Sequence, residues 1–188
     1  MQELDEKQLE ALVVKSQKGD SEAFAELYDV FVNPIYRYIF YKVDKKDVED
    51  LTEMLFMKAW ENIGKYRKQK NKSFKAWIFR IAHNLVVDHY RLTREHSSLD
   101  PRLRDTKRDH DPIEKAEDAL NSDNLKSAIG KLKKNYQQII ILKFINELDN
   151  DEICKIMKKS EGSVRILQFR ALRSLRNIMN DMGIKNIQ

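Results

Sequence analysis

Residues 149–175 read DNDEICKIMKKSEGSVRILQFRALRSL, and the spacing within them decides the architecture. Asp149 with Glu152 three residues on forms the reciprocal cap that opens a helix, and the pattern divides at Lys158–Ser160, where Ser160 is the next cap. A helix of about nine residues, a tight turn and a longer Arg-bearing helix is the helix-turn-helix plan. Ile153, Ile156 and Met157 face inward from the first helix; Val164, Leu167, Ala171 and Leu175 face inward from the second. Ser163, Arg165, Ile166, Phe169, Arg170 and Arg173 are left outward. Such a helix suits a major groove, where Arg pairs bidentately with guanine and Ser serves base edges or phosphate. The same pattern also fits an ordinary helical hairpin with a solvated basic face.

Composition points the same way. Five Gly and three Pro in 188 residues are about 4% against an average near 12%. Sandwiches and barrels need these residues at nearly every hairpin, so the deficit argues for an all-α protein and against glycine-loop nucleotide folds. The acidic start MQELDEKQLE lacks signal-peptide order and no 18-residue apolar run occurs, so the expectation is a cytoplasmic chain without membrane insertion. The single cysteine, Cys154, has no internal disulfide partner. His83 and His89 are six apart, which does not bring two imidazoles together on a helix, and no metal site is expected.

The formal charge of +5 conceals a segregation. Residues 1–61 sum to −6, 62–90 to +6, 91–121 to −1 and 122–188 to +6. Two basic blocks are the footprint expected of a nucleic-acid binder, although solvated Lys-rich faces also produce them. The acidic block needs another partner, or none.

Residues 91–111 carry only Leu92, Leu99 and Leu103 as apolar side chains and cannot offset the entropy of ordering. The reading is therefore a lobe over 1–95, a flexible linker over 96–121 and a second lobe over 122–188. In the first, Asp20 or Ser21 caps a helix whose Ala23, Phe24, Leu27, Tyr28 and Phe31 share a face, and Pro34 is expected to interrupt it. DVEDLTEMLFMKAWENI then stripes Val48, Leu51, Leu55 and Ala59. A helix from Ser73 to about Glu95 turns Trp77, Ile78, Ile81, Leu85 and Val86 inward. In the second, Asp111 caps a helix with Pro112 at its first position, and Gly183 ends the last helix.

Two further surfaces stand out. Lys65, Arg67, Lys68, Lys70 and Lys72 precede a helix exposing Asn84, Asp88 and Arg91, which joins a phosphate-attracting cluster to short groups able to read bases. Tyr66, Phe74 and Trp77 interleave with this charge, fit either for the core or for stacking on unpaired bases. The acidic helix around Asp47, Glu49, Asp50 and Glu53 reads as a solvated face or a docking surface rather than as catalytic carboxylates. Met54 and Met57 lie off its buried stripe, which favours docking. No catalytic signature or cofactor motif is present.

In order, GDSEAFAELYDVFVNPIYRY, DVEDLTEMLFMKAW, FKAWIFRIAHNLVVDHYR and DNDEICKIMKKSEGSVRILQFRALRSL resemble the extracytoplasmic-function (ECF) type of bacterial RNA polymerase sigma factor. The resemblance spans about residues 7–95 and 124–180. It implies sigma domain 2 followed by a helix-turn-helix sigma domain 4, with no catalysis and no cofactor of its own. Its partners would be core RNA polymerase, promoter DNA both duplex and single-stranded, and an anti-sigma factor. Asp47, Asp50, Glu53, Met54 and Met57 would meet the β′ coiled coil. Arg67, Lys70, Lys72, Asn84, Asp88 and Arg91 would melt and read the minus-ten element. Lys143, Ser163, Arg165, Ile166, Phe169, Arg170 and Arg173 would read the minus-thirty-five duplex, with the domain resting on the β flap. The linker would thread toward the RNA exit path.

The chain departs from the family pattern at particular places. Lys158 stands where glycine is usual and must take a strained conformation or reshape the turn. Leu167 and Gln168 replace an Arg and a core Leu, Met54 replaces an acid and Lys133 a proline. Two other readings remain open: a free-standing helix-turn-helix regulator, and a metal-dependent nuclease or other enzyme using the Asp47 to Glu53 carboxylates. With a linker lacking apolar anchors, the two lobes are expected to move independently unless a partner clamps them.

Overall fold

The computed structural model describes residues 5–67, 73–99 and 116–184, with the side chains of 94–99 and 116–122 outside that description. Every regular element among them is helical: α1 (Glu6–Ser16), α2 (Ser21–Phe40), α3 (Val48–Asn62), α4 (Phe74–Leu99), α5 (Ala116–Gly130), α6 (Lys134–Ile140), α7 (Asn150–Met157) and α8 (Glu161–Asp181). A π-helical segment, Ile141–Ile145, continues α6.

Several starts have a local cause. Asp5 and Gln8 form a capping box on α1. Asp20 accepts from the Ala23 N–H on α2, and Ser73 accepts from the Ala76 N–H on α4 at 3.1 Å. The first lobe closes around α2, whose Leu27, Ile35, Tyr38 and Ile39 are buried against Leu51 and Leu55 of α3 and Ile78, Phe79 and Ala82 of α4. Burying each of the large side chains fully contributes about 1.5–3 kcal/mol.

The sequence predicts a break at Pro34, but α2 runs through it. Proline removes one backbone donor from the ladder. Phe31 before it and Ile35, Tyr38 and Ile39 after it are buried on the same stripe, so core packing carries the helix past the lost bond. Of the face predicted for its first half, Ala23, Leu27 and Phe31 are buried, whereas Tyr28 is exposed and leans on Phe56.

Helix extends into both ends of the stretch read as linker, since α4 reaches Leu99 and α5 starts at Ala116. The cap assigned to Asp111 and Pro112 lies outside the described residues.

The lobes, expected to move independently, are packed together. Helices α4 and α7 touch, as do α2 and the π segment. The buried Tyr38 hydroxyl faces the buried Gln138 amide, 2.9 Å from Nε2 and 3.1 Å from Oε1, and the His83 Nδ1 lies 3.4 Å from the same hydroxyl. Ser73, the cap of α4, donates to Oε1 of Glu152 at 2.9 Å. Two ammonium groups of the second lobe lie over rings of the first, Lys126 on Phe40 at 4.0 Å and Lys134 on Tyr90 at 5.5 Å. Helix faces make these contacts, so they do not depend on apolar anchors between the lobes.

Candidate nucleic-acid interface

The turn between α7 and α8 takes the strained option open to Lys158: it is left-handed, with φ 53° and ψ 48°. Asp149 and Glu152 form the reciprocal cap, and Ser160 caps α8 by accepting from the Ser163 N–H. Val164, Ala171 and Leu175 are buried, and Leu167 is half-buried against the core. Gln168, where the family pattern has a core Leu, donates to Asn150 Oδ1 at 2.7 Å and so ties α8 to the start of α7. Gly183, with φ 72°, follows the end of α8.

Ser163, Arg165, Ile166, Phe169, Arg170 and Arg173 are all exposed. Arg165 is paired with Glu161 at 2.6 Å, and the Ser163 hydroxyl sits 2.9 Å from that of Ser160. Lys143, in the π segment, is half-buried and donates to the Leu148 carbonyl at 3.2 Å. Its ammonium braces the turn into α7, a task that sequence spacing did not reveal.

In the first lobe, Val48, Leu51, Leu55 and Ala59 of α3 are buried, leaving Asp50, Glu53, Met54 and Met57 outside. Asp47 differs from its acidic neighbours: it is half-buried and lies 3.5 Å from His89 Nε2 of α4. Trp60, one turn after Met57, is 39% exposed and packs edge-on against Phe24. It extends the apolar face of α3, and its spacing of three from Met57 was the readable signal.

On α4, Asn84, Asp88 and Arg91 are exposed, the last two 4.0 Å apart. Arg67 is exposed but folds back to donate to the Gly64 and Tyr66 carbonyls. Lys68, Lys70 and Lys72 lie outside the described residues. Tyr66 and Phe74 are buried and Trp77 is half-buried, the three packed at ring separations of 5.1–5.5 Å. They hold the start of α4 in the core instead of offering a ladder of open rings. Gln17 supports this corner by donating to the Ile63 and Tyr66 carbonyls.

Two family models match the chain, one on each lobe. The model for Sigma-70 region 2 matches residues 27–95, and that for Sigma-70, region 4 matches residues 122–175. The ECF RNA polymerase sigma factor BldN of Streptomyces coelicolor is 33% identical over 180 residues, covering 94% of this chain and 68% of that one. The chain belongs to the ECF sigma factors. The ECF sigma factor SigW of Bacillus subtilis is 29% identical over 177 residues, covering 88% and 94%.

Among solved structures, CnrH in complex with the cytosolic domain of CnrY matches with TM-score 0.71 at 21% identity, over 91% of this chain and 96% of that one. The sigma factor RpoE with the anti-sigma factor NepR, from Bartonella quintana, matches with TM-score 0.66 at 19% identity, over 84% and 96%. As an alternative sigma factor, the protein binds core RNA polymerase and directs promoter-specific transcription. Its family consists of non-catalytic initiation factors, and binding to core polymerase displaces the free-standing regulator. Among the described residues, no helix is long and apolar enough to cross a membrane.

Proposed function

We propose that the work of the sigma factor is divided among three outward faces. The exposed side of α3, with Asp50, Glu53, Met54, Met57 and Trp60, docks on the polymerase β′ coiled coil, and Asp47 steadies that helix through His89. The segment from Lys65 to Arg91, including Arg67, Lys70, Lys72, Asn84, Asp88 and Arg91, melts and reads the minus-ten element. The outer face of α8 reads the minus-thirty-five duplex, with Lys143 supporting the turn before it, and the second lobe rests on the β flap.

The observation that carries this reading is the outer face of α8, where Arg170 and Arg173 are exposed opposite the buried Val164, Ala171 and Leu175. Neutralising phosphates with such arginines releases counterions, so binding is steeply salt-dependent. Chemistry stays with the polymerase, and the sigma factor works by binding. Captured, unstacked bases favour the open promoter. An anti-sigma factor fits as the regulator, since the solved RpoE of similar fold is held in a complex with the anti-sigma factor NepR.

The test is reconstitution. The purified chain added to core polymerase should start transcripts at a promoter selected from a random library. Arg170→Ala with Arg173→Ala should weaken promoter binding at least tenfold and flatten its salt dependence. Failure to bind core polymerase at low salt overturns the reading.

A further inference from the structure

The outer face of α8 is not uniformly polar. Ile166 is 54% and Phe169 69% exposed. They lie three residues apart in the second and third turns after the Ser160 cap, so they share one face. At 100° per residue they point away from the strip containing Val164, Ala171 and Leu175, in the same direction as Arg170 and Arg173. A helix that only gripped phosphates would gain nothing from large apolar groups at the centre of its contact face.

The polar side chains nearby are largely committed. Gln168 is bonded to Asn150, Arg165 is paired with Glu161, and the Ser163 hydroxyl is engaged with Ser160. Arg170 and Arg173 remain for guanine or phosphate. Beside them the contact face carries the hydrocarbon of Ile166 and Phe169, and the apolar group that a major groove offers is the C5-methyl of thymine. The flanking arginines select a polyanion over an apolar protein helix as the occupant.

We infer that Ile166 and Phe169 are specificity residues that read thymine methyl groups in the minus-thirty-five duplex. This rests on α8 being the minus-thirty-five reader. Side chains one turn apart have Cβ atoms about 5–6 Å apart, which spans one to two base-pair steps of about 3.4 Å. The methyls they touch therefore lie on adjacent or next-adjacent base pairs. The preferred element carries thymine there on one strand or the other.

The experiment uses the full chain bound to core polymerase. A minus-thirty-five element is selected from a randomised library, and each of its thymines is replaced in turn by deoxyuridine, which keeps every hydrogen bond and lacks the methyl. Burying one methyl is worth about fourfold in binding. Loss of about that size is expected at one or two neighbouring positions and nowhere else. Phe169→Ala and Ile166→Ser should each erase the thymine–uracil difference at one position; both sites are exposed, so the fold is unaffected.

Equal binding of thymine and deoxyuridine at every position overturns the inference, as does an unchanged difference in both variants. A selected element without thymine overturns it too. In each case, sequence-selective binding leaves the minus-thirty-five role of α8 standing. Absence of any selected element removes that role itself. Variants that keep the thymine–uracil difference but bind core polymerase more weakly would mark the two side chains as a protein contact and overturn the inference.

Discussion

Replacing Gln138 by leucine removes the amide that faces the Tyr38 hydroxyl across the two lobes. Tyr38 is fully buried, with Gln138 Nε2 at 2.9 Å and Oε1 at 3.1 Å, and only His83 Nδ1, at 3.4 Å, remains once the amide is gone. Burial holds the tyrosine above its ordinary pKa and the histidine below its own, so neither supplies a charge to compensate. Leaving a buried hydroxyl poorly partnered costs about 1–3 kcal/mol, which lowers the ratio of packed to separated lobes about 5- to 140-fold. Pairing Gln138→Leu with Tyr38→Phe removes both polar groups and should recover most of that loss. Small-angle scattering reads the outcome. A compact chain of this length has a radius of gyration of about 16 Å; Gln138→Leu should raise it without loss of helicity, and the double variant should bring it back. A single variant as compact and as resistant to urea as the parent would refute the latch, as would a double variant no better than the single.

Three other outcomes are expected. Lys42, half-buried with Lys134 nearby, has its pKa lowered to about 7 by burial and then by that like charge. Between about pH 7 and 10.5 the unfolded chain holds a proton that the folded chain has released, so stability rises with pH across that window; thermal melts at pH 7 and 9.5 should show the rise, and Lys42→Met should reduce it. Lys158→Gly relieves a left-handed backbone at the cost of a more flexible unfolded chain, and should raise Tm by about 2 °C; a lower Tm would mean that the lysine side chain contributes more than its strain costs. Ser73→Asp keeps a cap for α4 but sets a second carboxylate against Glu152. Scattering should show separated lobes with helicity unchanged, and a compact particle would count against the Ser73–Glu152 contact.

What was legible in the sequence was local. The caps at Asp20, Asp149 and Ser160, the α3 stripe and the outward set on α8 all follow from side chains acting within one or two turns. The same kind of signal marked α1, since Asp5 with Gln8 three residues on is a capping-box pattern, but the reading began further along the chain. The Pro34 prediction erred because a local rule was overridden by a buried stripe on both sides of it. The packing of the lobes was not readable. Gln138, Glu152, Ser73 and Lys42 look like ordinary surface residues in sequence, and only tertiary placement turns them toward partners up to 100 positions away. Lys143 and Asp47 illustrate the same point, each counted among interface residues and each engaged by its own lobe.

The packed arrangement bears on how a sigma factor of this shape can act. The promoter elements, as their names indicate, are centred about 25 base pairs apart, roughly 85 Å of B-form duplex at 3.4 Å per step. A compact particle with a radius of gyration of about 16 Å is roughly 40 Å across, so in the roles proposed for them α4 and α8 cannot reach both elements while the lobes touch. The polar contacts between them are individually small: one buried amide–hydroxyl pair, one Ser73–Glu152 bond, the Lys75–Glu152 pair at 3.8 Å and two cation–π contacts worth about 0.5–1 kcal/mol each at exposed sites, beside the apolar packing of α7 on α4. A partner bound with nanomolar affinity releases about 12 kcal/mol, ample to offset them if it prefers the separated form. Polymerase should therefore open the lobes, and a partner that binds across both should keep them closed. Weakening the Tyr38–Gln138 latch should then make the chain associate more tightly with core polymerase and less tightly with any regulator that clamps the closed form. Equal shifts in both affinities would show that the packing has no part in the choice between them.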